Sequence, residues 1–377
     1  MEMPEKELSG RCCCSGSTCD CPPSDAASEP QITGAAWICG LLNTPSGAVP
    51  QVATRLTRED ILGAWKARWG VGRMNYKVPP GLYAVGTPGA DSPVFVSANY
   101  KLSFDHLRRS LKRLDAWILV IDTKGINVWC AAGKGTFGTS GIVAGINQAK
   151  LGEFVFHRTI ILPQLGAPGV AAHEVTKLTG FKVVYGPVRA GDIPSFVNMG
   201  YRATVSMRQV KFGLWDRLVL TPMELVGLAK LVLIGFLILL IINTIGTGLP
   251  SILKAVYRTA VDFLPYLGAL LVGTVLTPVL LPIIPVREFA WKGWILGILW
   301  TGFYLWRFAP IISWKQVVAY IFILPPISAY FAMNFTGSST YTSLSGVVKE
   351  MGMAIPAMLT SVGLGVAFLA VKWGFGL

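Results

Sequence analysis

The second half of the chain consists of apolar runs long enough to cross a membrane, and this feature limits the possible folds most strongly. The run from Leu231 to Leu253, for example, contains no ionisable residue. An apolar helix of about 20 residues spans the hydrocarbon core of a bilayer. We therefore predict that residues 221–377 form an all-α transmembrane domain of about five helices. The spans are placed near residues 225–245, 263–286, 293–308, 316–334 and 352–373.

The first half carries most of the charge and is predicted to fold outside the membrane. Residues 1–50 are expected to form a cysteine-rich, largely disordered tail, and residues 51–220 an α/β domain. Short apolar runs alternate with amphipathic segments in this domain, which favours a Rossmann-like parallel sheet. The predicted strands are 93–98, 116–122, 158–162 and 182–185, and the predicted helices are 104–114, 138–150 and 170–178.

Three loops of this domain are the best candidates for a binding site. They follow Asp122, Leu162 and Tyr185, each of which ends a predicted strand. Ligands of open parallel sheets bind at the carboxyl ends of the strands. The three loops are therefore expected to lie at one edge of the sheet and to form the site together.

The net charge of +13 is explained better by a membrane than by nucleic acid. Arg202, Arg208, Lys211 and Arg217 lie just before the first apolar run, where basic residues mark the cytoplasmic side of a span and are attracted by anionic headgroups. The chain begins without the apolar core of a signal peptide. We therefore expect a multi-pass protein of the cell (inner) membrane with a cytoplasmic α/β domain, and no nucleic-acid partner.

One cysteine, Cys130, lies in a glycine-rich apolar segment, KGINVWCAAGKGTFGT. A phosphate-binding P-loop is rejected, because that motif needs a glycine five positions before its Gly-Lys pair, where this chain has Val128. A nucleophilic cysteine needs a base, and none of the three histidines lies in a recognisable partner motif. The nucleophile is therefore the less favoured interpretation, beside a cysteine that binds the metal of a cofactor and an inert buried thiol.

The segment from Asn127 to Thr139, NVWCAAGKGTFGT, resembles the signature of the corrinoid proteins of mercury-methylating pairs. It is also similar to the corrinoid-binding domain of the corrinoid iron–sulfur protein of the acetyl-CoA pathway. The resemblance continues through QLGAPGVAAHEV, from Gln164 to Val175, and GPVRAGDIP, from Gly186 to Pro194. The membrane domain with NFTGSSTYTS, from Asn334 to Ser343, resembles the mercury-methylating family and is absent from the soluble relative.

The resemblance implies a cobalamin-type corrinoid cofactor, with the Cys130 thiolate as the lower axial ligand of its cobalt. It implies a corrinoid-dependent methyltransferase that transfers a methyl group to Hg(II) and gives methylmercury. A membrane-bound methyl carrier for another acceptor is the alternative, and mercury is then an adventitious substrate. The residues expected to bind the corrinoid are Asn127, Val128, Trp129, Cys130, Ala131, Ala132, Gly133, Lys134, Gly135, Thr136, Phe137, Gln164, Leu165, Gly166, Gly186, Pro187, Val188, Arg189 and Ala190.

The same resemblance implies several partners. A methyl-tetrahydrofolate-linked system is the expected methyl donor, and a small ferredoxin with two 4Fe–4S clusters is the expected electron donor. The basic stretch from Arg108 to Arg113 is expected to be a solvated helix face, with ferredoxin docking as the less favoured interpretation. Soft thiolates bind Hg(II), so the tail either captures Hg(II) or has no selected role. Its five thiols are Cys12, Cys13, Cys14, Cys19 and Cys21.

Overall fold

The computed structural model describes residues 35–247, 251–308, 312–339 and 341–374. The chain divides into two compact units between Val210 and Lys211. The first unit contains a mixed α/β sheet, and the second consists of helices.

A seven-stranded sheet forms the centre of the first unit. Its strands are β1 (Ile38–Thr44), β2 (Gly47–Val52), β3 (Gly81–Val85), β4 (Val94–Ala98), β5 (Ala116–Ile121), β6 (Thr159–Leu162) and β7 (Lys182–Tyr185). They lie in the order β1-β2-β3-β5-β4-β6-β7. The strands β5, β4, β6 and β7 are parallel to one another, so their carboxyl ends share one edge of the sheet. We call this the carboxyl edge.

Helices cover both faces of the sheet, whose central strands are apolar except for Ser97. Every residue of β4 and β5 is buried, as expected for strands covered on both sides. The helices are α1 (Arg58–Arg68), α2 (Lys101–Ser110), α3 (Val128–Gly133), α4 (Thr139–Gln148), α5 (Ala172–Thr179), α6 (Ile193–Asn198) and α7 (Val205–Arg208). Ile142 of α4 and Val175 of α5 pack on one face. Phe104 of α2 and Phe196 of α6 pack on the other.

The prediction of a parallel sheet is confirmed for β4 to β7 and for the pair β2 and β3, and it is wrong for two other strand pairs. β3 pairs antiparallel with β5, and β1 pairs antiparallel with β2. The first three strands carry turn residues and proline between their apolar positions. The alternation of apolar and polar residues that predicts a strand is therefore weak in this part of the sequence. The sheet also begins at Ile38, before residue 51, where the domain was predicted to start.

The basic stretch that was predicted to be solvated contains one residue that is not. Arg108 is 0% exposed. Its guanidinium donates to Asp60 over 2.7 Å and to Asp105 over 2.8 Å, and Lys101 also donates to both carboxylates. The prediction of a solvated face is therefore wrong for Arg108 and holds for the exposed Arg109. The acidic partner Asp60 lies 48 residues earlier, where helical spacing gives no signal of it.

The second unit is helical in all its long segments. It contains α8 (Leu214–Leu218), α9 (Thr221–Thr247), α10 (Ile252–Leu271), α11 (Thr277–Leu280), α12 (Phe289–Phe308), α13 (Trp314–Asn334) and α14 (Leu344–Gly374). A π-helical turn, Val272–Leu276, joins α10 to α11. At the predicted bend of the proline-rich second span, the α-helix changes to a π-helical turn and back. The helical segment ends at Leu280.

Four segments, not five, are long and apolar enough to cross a membrane among the residues that the structure describes. They are Leu214–Ile245, Ile252–Leu280, Trp314–Gly337 and Ser345–Leu369. The remaining predicted span, 293–308, lies in α12, which is a helix of 20 residues. Its tryptophans, together with Lys292 and Arg307, lower its hydropathy below that of the other four. The prediction of about five spans is thus corrected to four candidates by length and composition.

Candidate functional site

Cys130 lies on a short helix at the carboxyl edge of the sheet. Helix α3 follows β5 after a loop of six residues. The side chain of Asn127 caps the helix by accepting from the backbone N–H of Cys130 over 2.9 Å, as capping asparagines do. The thiol of Cys130 is free and exposed. Exposure rules out the interpretation of Cys130 as an inert buried thiol.

The loop that leads into α3 is fixed by one buried asparagine at the end of β4. Asn99 is 2% exposed. Its side-chain oxygen accepts from the backbone N–H of Thr123 over 3.1 Å and from that of Gly125 over 2.9 Å. Its amide donates to Asp122 over 2.9 Å. Asn99 therefore joins the ends of β4 and β5 and fixes the first residues of the loop before α3.

The turn within this loop requires a glycine. Lys124 and Gly125 both have positive φ, 58° and 75°, and the backbone N–H of Lys124 donates to the Asp122 carboxylate over 2.8 Å. A side chain at Gly125 would also place its Cβ 3.2 Å from the carbonyl oxygen of Met74. The loop is therefore contacted on one side by Asn99 and approached on another by the segment around Met74.

The predicted site residues of α3 divide into an exposed and a buried set. Trp129, Cys130, Gly133, Lys134 and Gly135 are exposed, and Trp129 is 41% exposed. The side chains on the other side of α3 belong to the core of the domain, where they anchor the helix. The buried set is Val128, Ala131, Ala132 and Phe137.

The second predicted loop packs directly on α3 through its glycines. It is a 3₁₀ helix, Gln164–Gly169, that follows β6. A Cβ on Gly169 would lie 3.0 Å from the Cα of Ala132, and a Cβ on Gly166 would meet the ring of Phe137. The two segments therefore approach more closely than side chains would permit.

The third predicted loop follows β7 and contacts the end of the first unit. Gly186 and Pro187 are buried, and Arg189 is exposed. The backbone N–H of Val188 donates to the carbonyl of Met207 over 2.8 Å. Arg208 donates to the side chain of Gln164 over 2.9 Å. The three predicted loops thus meet at the carboxyl edge, as the sequence indicated.

The histidines give no support to a cysteine nucleophile. His157 precedes β6, at the opposite edge of the sheet, and its ring bonds to the carbonyl of Ser92 over 2.8 Å. His106 lies on α2 and His173 on α5. Within the part of the chain that the structure describes, no hydrogen bond joins a histidine to Cys130.

The exposed set fits a metal that a flat macrocycle carries. Such a metal takes four ligands from the ring and needs only one from the protein. Within the described residues no three His, Cys, Asp or Glu side chains come together to bind a metal ion by themselves, whereas one thiol faces outward at Cys130. A Cβ on Gly133 or Gly135 would meet nothing within 4 Å, so the space above these two glycines is open.

Asn99 is the site residue that sequence reasoning missed. It follows β4 directly, and a polar residue after a buried strand is a signal that could have found it. The five tail thiols, Cys12, Cys13, Cys14, Cys19 and Cys21, lie outside the described residues. Cys39 lies on β1, where its thiol donates to the carbonyl of Gln51 over 3.5 Å.

Comparison with known proteins relates the α/β domain to a family of corrinoid proteins. A family model described as CO dehydrogenase/acetyl-CoA synthase delta subunit matches residues 71–197. The acetyl-CoA decarbonylase/synthase complex subunit gamma of Archaeoglobus fulgidus is 33% identical over 131 residues, which are 34% of this chain and 27% of that protein. The corrinoid/iron-sulfur protein large subunit of Moorella thermoacetica is 30% identical over 122 residues, 32% of this chain and 27% of that protein. The chain thus matches about a quarter of the length of these relatives, and the matches cover about a third of its own.

Proposed function

We propose that this chain is a membrane-bound, corrinoid-dependent methyltransferase that transfers a methyl group to Hg(II), with the Cys130 thiolate as the lower axial ligand of cobalt. The observation that carries the proposal is the exposed thiol of Cys130 on a capped helix at the carboxyl edge. This helix lies inside the region, residues 71–197, that is similar to subunits of methyl-transferring complexes. The candidate spans support attachment to a membrane.

A bound corrinoid supplies a cobalt centre that takes a methyl group from a donor and passes it to an acceptor. The residues of this chain would hold the ring and adjust the metal. Gly133 and Gly135 leave room for a flat plate beside the thiol, and the half-exposed Trp129 offers an aromatic surface next to it. Asn127 and Asn99 keep the helix and its loop in position.

The choice of a thiolate has a chemical consequence for the acceptor. Hg(II) is an electrophile, so it takes a methyl group that carries an electron pair or an unpaired electron. A thiolate at Cys130 donates more electron density to a macrocyclic metal than a neutral imidazole does, and axial ligands are the main means by which proteins adjust such metals. Cys130 therefore favours transfer toward an electrophilic metal ion.

The proposed partners follow from what the described part of the chain supplies. A methyl-tetrahydrofolate-linked system would provide the methyl group, and a small ferredoxin with two 4Fe–4S clusters would provide electrons. Within the described residues no group of three metal-binding side chains is present, so electrons are proposed to come from a partner. The lipid bilayer would hold the helical unit, with the α/β domain on the cytoplasmic side.

The visible spectrum of the purified full-length protein with corrinoid tests the proposed ligand. Cys130→Ala is expected to remove the thiolate signature, and Cys130→His to replace it with that of an imidazole. Cys39→Ser is the matched control, because Cys39 is half-buried on β1. If the spectrum of Cys130→Ala equals that of the wild type, cobalt ligation by this thiol is refuted.

A second assay tests the acceptor. The wild-type protein with Hg(II), a reductant and a methylated corrinoid is expected to form methylmercury, and Cys130→Ala is expected to lose this activity. A wild-type protein that binds corrinoid through Cys130 but forms no methylmercury would refute Hg(II) as acceptor. That result would favour a methyl carrier for another acceptor, which agrees with the methyl-transferring complexes of the relatives.

A further inference from the structure

Helix α1 and the turn after it present a row of large apolar side chains to solvent. Six of them are between 41% and 63% exposed. On the helix they recur at spacings of three and four residues, so they share one side. Contiguous exposed apolar surface on a folded domain marks a site of interaction. We call this surface the α1 apolar face: Ile61, Leu62, Trp65, Trp69, Val71 and Met74.

The charged residues around the α1 apolar face are mostly basic. Arg58, Lys66 and Lys77 are exposed, and Arg68 and Arg73 are partly exposed. The carboxylates of this segment, residues 58–77, are those of Glu59 and Asp60. Asp60 is turned inward, so Glu59 is the acidic residue of the segment that faces solvent. The surface is therefore apolar in the middle and positively charged at its rim.

The exposure of this face is a property of a firmly held helix. Thr57 and Asp60 form a capping box at the start of α1. Asp60 also accepts from Lys101 over 2.6 Å and from Arg108 over 2.7 Å. The inner side of α1 is thus fixed to α2 by two buried ion pairs, and the described residues leave Trp65 56% and Trp69 41% exposed on its outer side.

The α1 apolar face adjoins the carboxyl edge that carries Cys130. The carbonyl oxygen of Met74 lies 3.2 Å from the position that a Cβ on Gly125 would occupy, and Gly125 belongs to the loop that leads into α3. The two bridging contacts made by Met207 and Arg208 with the predicted loops lie at the same edge. The last residues of the first unit therefore contact the edge at which the thiol is exposed.

We propose that the α1 apolar face lies in the headgroup region of an anionic bilayer, so that the carboxyl edge of the sheet faces the membrane. Tryptophan is enriched at membrane interfaces. Helices with one apolar side and a basic rim lie in the interface plane, and anionic headgroups attract the rim. The site around Cys130 then opens beside lipid headgroups. The inference requires the candidate spans and is independent of the cofactor and of the acceptor.

Photo-crosslinking of the full-length protein in nanodiscs tests the inference. The nanodiscs contain phosphatidylcholine and phosphatidylglycerol in equal parts, and p-benzoylphenylalanine replaces Met74. Replacement of Phe156 is the matched control, because Phe156 is 82% exposed in the segment before β6, at the opposite edge. Replacement of Leu233, an exposed residue of α9, is the positive control for lipid capture. Adducts are identified by mass spectrometry.

We expect lipid adducts at positions 74 and 233 and none at position 156. In nanodiscs of phosphatidylcholine alone the yield at position 74 should fall by about fivefold, because the basic rim loses its attraction. Adducts at position 233 without adducts at position 74 would refute the inference. Crosslinks from position 74 to a second copy of the chain, or equal lipid capture at positions 74 and 156, would refute it as well.

Discussion

Asn99→Ala tests whether one buried amide holds the cysteine helix in place. The substitution removes the acceptor of two backbone N–H groups, those of Thr123 and Gly125, and the donor to Asp122. Thr123 is fully buried and Gly125 is buried. A buried N–H without a partner costs about 1–3 kcal/mol. For two such groups we expect a loss of about 3 kcal/mol in the free energy of local unfolding, because water that enters the space of the amide compensates part of the cost.

Hydrogen–deuterium exchange of the full-length protein in detergent measures this loss. A destabilisation of about 3 kcal/mol raises the equilibrium population of the locally open state by a factor of roughly 10². Exchange should therefore become faster by that factor at the amides of residues 123–130, because opening of a local segment controls their exchange. Amides of β6 and β7 should keep the rate of the wild type.

Ser97→Ala is the control for this experiment. It removes a buried hydroxyl from the same strand, and that hydroxyl donates to the adjacent carbonyl of Ala98 over 3.2 Å. Its effect on residues 123–130 should be small. The reasoning is refuted if Asn99→Ala and Ser97→Ala give equal exchange rates in this segment, or if exchange becomes faster throughout the sheet to the same extent.

Three further predictions concern the packing and the charges around this site. Gly169→Ala should lower the corrinoid retained after gel filtration, because its Cβ has no room against α3, whereas Gly191→Ala should not, since nothing lies within 4 Å of that Cβ. Arg108→Leu should destabilise the α/β domain by about 3–5 kcal/mol, because two buried carboxylates lose a partner; thermal unfolding checks this against Arg109→Leu, which alters an exposed residue. Burial alone would raise the pKa of Asp60, but the Lys101 hydrogen bond, the Thr57 N–H and the nearby cations lower it to about 2. The stabilisation from Asp60 is therefore complete above its ordinary pKa of 3.8 and should be lost as the pH falls toward 2. Circular dichroism of the domain through this pH range measures the loss. An unchanged signal would contradict the argument.

Local patterns were sufficient to predict the parallel part of the fold. β4 to β7 are short apolar runs that end in polar or turn residues, and each was predicted within one or two residues of its bounds. The helices α2, α4 and α5 were predicted for the same reason, with α2 beginning three residues earlier than predicted. The strands β1 to β3 escaped prediction because their own sequences have no clear alternation of apolar and polar residues, although β1 and β2 pair as a local hairpin.

The site was predicted in part for the same physical reason. The loops after β5, β6 and β7 meet because parallel strands place their carboxyl ends at one edge, which the sequence already implied. The exposure of Cys130 and the burial of Ala131 and Ala132 depend on which side of α3 faces the core. Packing against the segment Gln164–Gly169 determines which side of α3 faces the core. A six-residue helix is too short to show that side as a periodic pattern in its sequence.

The sequence by itself determined the division into an α/β domain and apolar helices, and the segment that contains the candidate thiol. These properties follow from composition and from the spacing of apolar residues within about ten residues, both of which can be read from the sequence. Only the tertiary structure decided that Arg108 is buried, that Asn99 holds the loop before α3, and that the α1 apolar face borders the carboxyl edge. Each of these depends on contacts between residues far apart in the chain, and such contacts are set by packing and charge compensation in three dimensions.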